Sequence, residues 1–158
     1  MKRIRLGAGA ALAAGTLAAT GLAFAPAALA VTPQTATINA SCTIGGSGAA
    51  TLTATQSGTS ATVTLSSEEI TAPIALAEDS IQSTLTFVKA GGGTTSFTGT
   101  ENPALAAGDG MVVGPLTGTV ASGDSLEAYG GSLQMVVFGI TVSCTASGPQ
   151  SPGPFVFD

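Results

Sequence analysis

The chain has no histidine and no tryptophan, a single tyrosine, two cysteines and only four basic residues among 158. Each shortage excludes something. Without histidine, a serine nucleophile has no ordinary general base, and only a carboxylate or Lys89 could serve. No Gly-x-Ser-x-Gly elbow supports such a nucleophile. Zinc catalysis needs nitrogen or sulfur ligands, and the two sulfurs are better used in a bridge. No glycine loop with its lysine is present to cradle phosphate. Three of the four basic residues are Lys2, Arg3 and Arg5, so beyond residue 30 only Lys89 faces nine acids, a net charge of −8. A chain this poor in cations offers no phosphate-binding patch, which excludes nucleic acid and anionic membrane surfaces as partners.

Residues 1–30 read as a signal peptide. A basic start precedes an uncharged run rich in Ala, Gly and Leu. Pro26 breaks it, and Ala28-Leu29-Ala30 fits the small-x-small cleavage rule. Cleavage there leaves 31–158, one domain's worth of chain. Val31 rather than cysteine follows the site, no second apolar span appears, and no sorting motif ends the chain. The expected address is extracellular, with release or noncovalent attachment to the cell wall. Two cysteines in an exported chain should be oxidised.

The stretch 133–144 (LQMVVFGITVSC) alternates with period two and reads as one strand, with Val136, Phe138, Ile140, Val142 and Cys144 on its inner face. The stretch 35–44 shows the same pattern and places Cys42 inward. The two cysteines are expected to form one disulfide closing a β domain. Further alternating runs fall at 50–55, 61–66, 81–88 and 94–100. An edge strand or extended crossing segment at 70–76 holds Pro73. Residues 111–120 read as two short runs broken at Gly114-Pro115. A short strand at 125–129 ends in a turn at Gly130-Gly131. Short glycine turns between strands argue for antiparallel meanders. The expected fold is an all-β, immunoglobulin-like antiparallel sandwich of about eight strands over 31–148. A Pro/Gly-rich tail, 149–158, follows. The absent tryptophan argues against a true immunoglobulin domain.

Several short motifs resemble a small module of secreted and cell-wall proteins of actinobacteria. They are Ser41-Cys42-Thr43, Asn102-Pro103 before a Gly-Asp loop, the run 114–119 (GPLTGT) and the run 142–145 (VSCT). The resemblance implies an immunoglobulin-like fold with a Cys42–Cys144 bridge and transfers no catalytic residues.

Paired carboxylates are the one catalytic device the composition permits. Glu68-Glu69 and Glu78-Asp79 are adjacent, but neighbours on a strand point to opposite faces, so solvated charge is the expectation. Asp109, Asp124 and Glu127 lie in or beside glycine loops and carry oxygen ligands suited to calcium, without an EF-hand spacing. Neither a metal site nor a cofactor is expected. For sugar binding only Tyr129 and the phenylalanines are available, and Phe87, Phe97 and Phe138 read as core. Outward rows Thr51, Thr53, Thr55 and Thr62, Thr64 could face ice or a crystalline polymer, although outward threonine is ordinary in sheets. Phe155, Val156 and Phe157 form a candidate contact tail, unless they pack on their own domain. The expected function is a noncatalytic extracellular module acting by contact with cell-wall polymer or protein. The alternative is a small carboxylate-dependent hydrolase.

Overall fold

The computed structural model describes residues 31–158; the expected signal peptide lies outside the described residues. Ten strands form, and no helix occurs among the described residues. They are β1 (Val31–Thr32), β2 (Thr35–Cys42), β3 (Ser47–Ser57), β4 (Ser60–Thr71), β5 (Gln82–Lys89), β6 (Thr94–Gly99), β7 (Gly110–Thr119), β8 (Ser125–Val137), β9 (Ile140–Ala146) and β10 (Phe155–Phe157). Threonine and valine dominate them because branched side chains fit the pleated surface, and glycine occupies the tight turns.

The strand order is β1-β10-β8-β5-β6-β7-β4-β3-β2-β9, and β9 pairs back onto β8. Strands β2 to β9 therefore close into an eight-stranded antiparallel barrel. This corrects the expected immunoglobulin-like sandwich, which would keep two sheets with free edges. The pairings that close the ring are Leu133↔Cys144 through Val137↔Ile140 on one side of β9 and Ala40↔Ala146 through Cys42↔Cys144 on the other. Closure removes edges that would otherwise template pairing with other chains. Connectivity is of Greek-key type: β5, β6 and β7 are consecutive neighbours flanked by β8 and β4, and the β4–β5 (72–81) and β7–β8 (120–124) connections each join strands that are not adjacent in the barrel.

Two staves of the barrel are interrupted strands. β10 pairs with the start of β8 through Phe155↔Leu126, at the other end of β8 from its pairing with β9. β1 pairs with β10 as β2 pairs with β9. A bridge between Thr37 and Ser151 joins the two halves of this seam. Residues 149–158, set apart in the sequence as an irregular tail, thus complete a stave.

Two sequence expectations about β8 and β9 are overturned together. Gly130-Gly131 is no turn but a bend inside the long strand β8. A Cβ at position 131 would collide with the Thr86 carbonyl, and the β5–β8 register shifts beside that contact, between Thr86 and Val88. The stretch 133–144 is no single strand but a hairpin, with Phe138-Gly139 as its two-residue turn. The two loop residues reverse the chain, so the inward parity switches from Leu133 and Met135 in β8 to Cys144 in β9.

The barrel interior is one apolar core, filled by side chains as expected for eight strands. Phe87 is its hub, with Phe97 edge-on at 5.6 Å between ring centroids and Phe155 edge-on at 6.1 Å. Such edge-to-face pairs add roughly 0.5–1.5 kcal/mol beyond their area burial.

Candidate apolar groove at one end of the barrel

The ends of β2, β4 and β8 and the starts of β3, β5, β7 and β9 share one end of the barrel. There the core is not capped by polar loops. Leu76, Ile81, Met111 and Met135, all buried, form the floor of a cavity of about 110 Å³. Ile44, Ile74, Phe138 and Ile140 stand exposed around it. Each comes from a different place in the chain: the β2–β3 turn, the β4–β5 connection, the β8–β9 turn and the start of β9. The lining is almost wholly apolar.

One side of the groove is held rigid by Asn102, whose side chain is buried. Its Oδ1 accepts hydrogen bonds from the Ser80 and Ile81 amides, both 2.9 Å. Its Nδ2 donates to the Ala77 and Pro103 carbonyls, both 2.8 Å. An isolated bridge between Leu76 and Leu105 extends the clamp. Every polar atom of the amide is thus satisfied, as a buried group requires. The 72–81 and 100–109 connections are locked together, and Ile74 is carried on a fixed base.

Phe138 is the most unusual residue of the rim. It is 75 % exposed, the most open large apolar side chain among the described residues. Its φ is 50°, and Gly139 follows at 77°. Two-residue hairpin turns with both φ positive favour Asn-Gly or Gly-Gly, because a Cβ crowds the backbone there. A phenylalanine in this conformation costs roughly 1–2 kcal/mol. The sequence expectation that Phe138 is core is therefore corrected. The turn points it out of the barrel, at a backbone cost that packing within the barrel does not repay. Backbone outliers of this kind concentrate where function holds them.

The other residues singled out in the sequence take separate places. Cys42 and Cys144 are bonded to each other, across adjacent strands. Glu68 and Glu69 follow the regular part of β4, where its register with β7 breaks. Glu69 Oε2 accepts from the Ala49 amide at 2.7 Å, and both acids border an open depression with Thr51 and Ser66. Glu78 and Asp79 lie in the β4–β5 connection. Asp109 Oδ2 accepts from the Ala106 amide, and Glu127 Oε1 accepts from the Tyr129 and Gln150 amides. Lys89 donates to both oxygens of Asp124 at 3.2 and 3.0 Å. Asp124 also accepts from the Ala121 amide, and that bond, then Lys89, holds its pKa below the ordinary carboxylate value. The three acids weighed for calcium are thus engaged separately. No group of three or more His, Cys, Asp or Glu side chains suited to a metal forms among the described residues.

The threonine rows do come into register: Thr51 faces Thr37 and Ser66, Thr53 faces Thr35 and Thr64, and Thr55 faces Thr62. The Thr55 and Thr62 hydroxyls bond to each other at 2.6 Å. These rows cover the outer wall of the barrel. Tyr129 is half exposed beside Glu127 and Pro154, at the opposite end from the groove. In the candidate contact tail, Phe155 and Phe157 are buried in the core, leaving Val156 outward. Sequence reading missed Ile44, Ile74 and Ile140 as surface groups. The available signal was Phe138-Gly139, a turn-compatible pair inside an apolar run, which turns the stretch into a hairpin and carries its apolar residues to the barrel end. Compared with family models, curated proteins and solved structures, the chain matches none.

Proposed function

We propose that this protein is a noncatalytic extracellular module that acts by contact, through the apolar end of its barrel, with a protein of the cell envelope or its surroundings. The observation that carries this reading is the exposed quartet of Ile44, Ile74, Phe138 and Ile140 around an apolar cavity. Contiguous exposed apolar patches on small domains mark interaction surfaces. A disulfide suits an oxidising compartment, in keeping with export. Of the two contact partners considered, protein is favoured over polymer, because polysaccharide recognition calls for polar side chains beside stacked aromatic faces and the groove has almost no polar lining. The hydrolase alternative would need two carboxylates converging on one cleft. Glu68 and Glu69 do border one open depression, but Glu69 is engaged by the Ala49 amide, and Asp109, Asp124 and Glu127 bind backbone amides on other elements.

The test is retention on washed envelope material of the cells that secrete the protein. Wild type should be retained, and Phe138→Ser with Ile140→Ser should not be, at an unchanged or raised melting temperature. Equal retention of both proteins would refute contact through this end. Hydrolysis of a glycan, ester or peptide, abolished by Glu69→Gln, would refute the noncatalytic reading.

A further inference from the structure

Charge is distributed unevenly along the barrel axis. Six of the nine acids, Glu68, Glu69, Glu78, Asp79, Glu101 and Asp109, lie on the strand end and connections at the groove end. Glu78 and Asp79 fall between the lining residues Leu76 and Ile81, and Asp109 precedes Met111 by two residues. No basic residue accompanies them. Lys89, the one cation among the described residues, sits at the far end and is bound to Asp124. Acids beside a low-dielectric apolar cleft focus a negative potential on whatever enters it. That field repels anionic surfaces and a second copy of this acidic chain, and attracts cations.

Size narrows the occupant further. Sites for small ligands are typically about 300–1,000 Å³. The groove cavity is about 110 Å³. It has room for one or two side chains, not for a whole organic ligand. The protruding Phe138 adds a ridge against which a partner's apolar stripe can lie.

Resting on the contact reading above, we infer that the groove takes an amphipathic peptide segment of another protein, with aliphatic or aromatic anchors in the cavity and lysine or arginine flanking them. The anchors supply burial. The flanking cations meet the acids on the connections and strand end outside the apolar rim, which accelerates encounter and makes binding fall with salt.

The test uses protein spanning 31–158, which contains the whole barrel, and two labelled helical 16-residue peptides. Both carry leucine and phenylalanine on one face; the other face carries lysine in one peptide and glutamate in the other. Fluorescence anisotropy reads affinity at low and high salt. The lysine peptide should bind, at least about tenfold more weakly in high salt, and the glutamate peptide should not. Phe138→Ser should weaken binding by about tenfold or more, as loss of a central anchor does. The triple variant Glu68→Gln, Glu78→Gln, Asp79→Asn should weaken it mainly at low salt and flatten the salt dependence. Binding of the lysine peptide that is indifferent to Phe138→Ser would overturn the inference, since charge alone would explain it. Equal binding of both peptides, sensitive to Phe138→Ser, would overturn the cationic partner and leave the contact reading standing. A concentration-dependent dimer abolished by Phe138→Ser, with no peptide bound, would make a second copy the occupant and overturn the inference. If Phe138→Ser also leaves envelope retention unchanged, the contact reading itself falls.

Discussion

Cys42 and Cys144 face each other directly in the β2–β9 ladder, at the last of its three residue pairs. The disulfide therefore staples the seam where the first and last staves of the barrel meet. The bonded residues are 102 apart in sequence. Closing a loop of that size removes denatured-state entropy worth about 4–5 kcal/mol. The double variant Cys42→Ser, Cys144→Ser should lose most of that, a fall in melting temperature on the order of 10–20 °C. Thermal unfolding followed by circular dichroism checks this. A change of only a few degrees would mean that the ladder holds the seam unaided.

The other half of the same seam depends on β10. Phe155 packs edge-on against Phe87, and Phe157 is buried beside β1. Gln56 fixes the chain end with a reciprocal pair of bonds: its Nε2 donates to the Asp158 carbonyl and its Oε1 accepts from the Asp158 amide. Phe155→Ala should cost about 3–5 kcal/mol. Deleting 154–158 should destabilise more and strip β1 of its partner. Urea titration gives both values. Unchanged stability on deletion would restore these residues as a candidate contact tail.

The sequence made the strands legible and left the closure illegible. Period two in 35–44, 50–55, 61–66 and 81–88 located four strands, though not their exact ends, because each has one face inside the barrel. The cysteine pairing was legible too, since only two thiols exist. The barrel was hidden because two glycine-containing pairs exchange the roles that composition suggests. Gly130-Gly131 has turn chemistry but serves a bend against Thr86. Phe138-Gly139 has strand neighbours on both sides but makes the turn. Only tertiary contact decides between those uses. The groove was hidden for the same reason, since its rim is drawn from three separate stretches, at Ile44, at Ile74 and at Phe138 with Ile140. The Lys89–Asp124 pair was illegible because its members are 35 residues apart.

The Lys89–Asp124 pair gives a pH prediction. Asp124 is partly buried, with its side chain 16 % exposed, and its pKa is lowered in the fold by the Ala121 amide and by Lys89. A lowered folded-state pKa means the unfolded chain takes up the proton first. The stabilisation is complete above the unfolded value, near pH 4, and is lost as pH falls through the lower folded value. Asp124→Asn should therefore lower the melting temperature at pH 7 and flatten its decline as pH falls below about 4. Melting curves of the two proteins across that range should converge at the acid end. Parallel curves would show that Asp124 gains nothing from its partners in the fold.

Phe138 joins stability and contact with opposite signs. Its positive φ favours asparagine or glycine, and Gly139 already completes the preferred pair. Phe138→Asn keeps the turn, relieves the Cβ crowding and removes an apolar ring that is mostly in water. The barrel should gain about 0.5–1.5 kcal/mol, a rise of a few degrees in melting temperature. The same change removes the ridge of the groove, so binding of the lysine peptide and retention on envelope material should both weaken. A core phenylalanine would behave in the opposite way and lose several kcal/mol, as Phe155 should. Thermal melts of Phe138→Asn and Phe155→Ala, run beside the binding assay, separate a residue kept for contact from one kept for packing. A destabilised Phe138→Asn would mean that the ring is covered within the barrel after all, and the site would lose its central side chain.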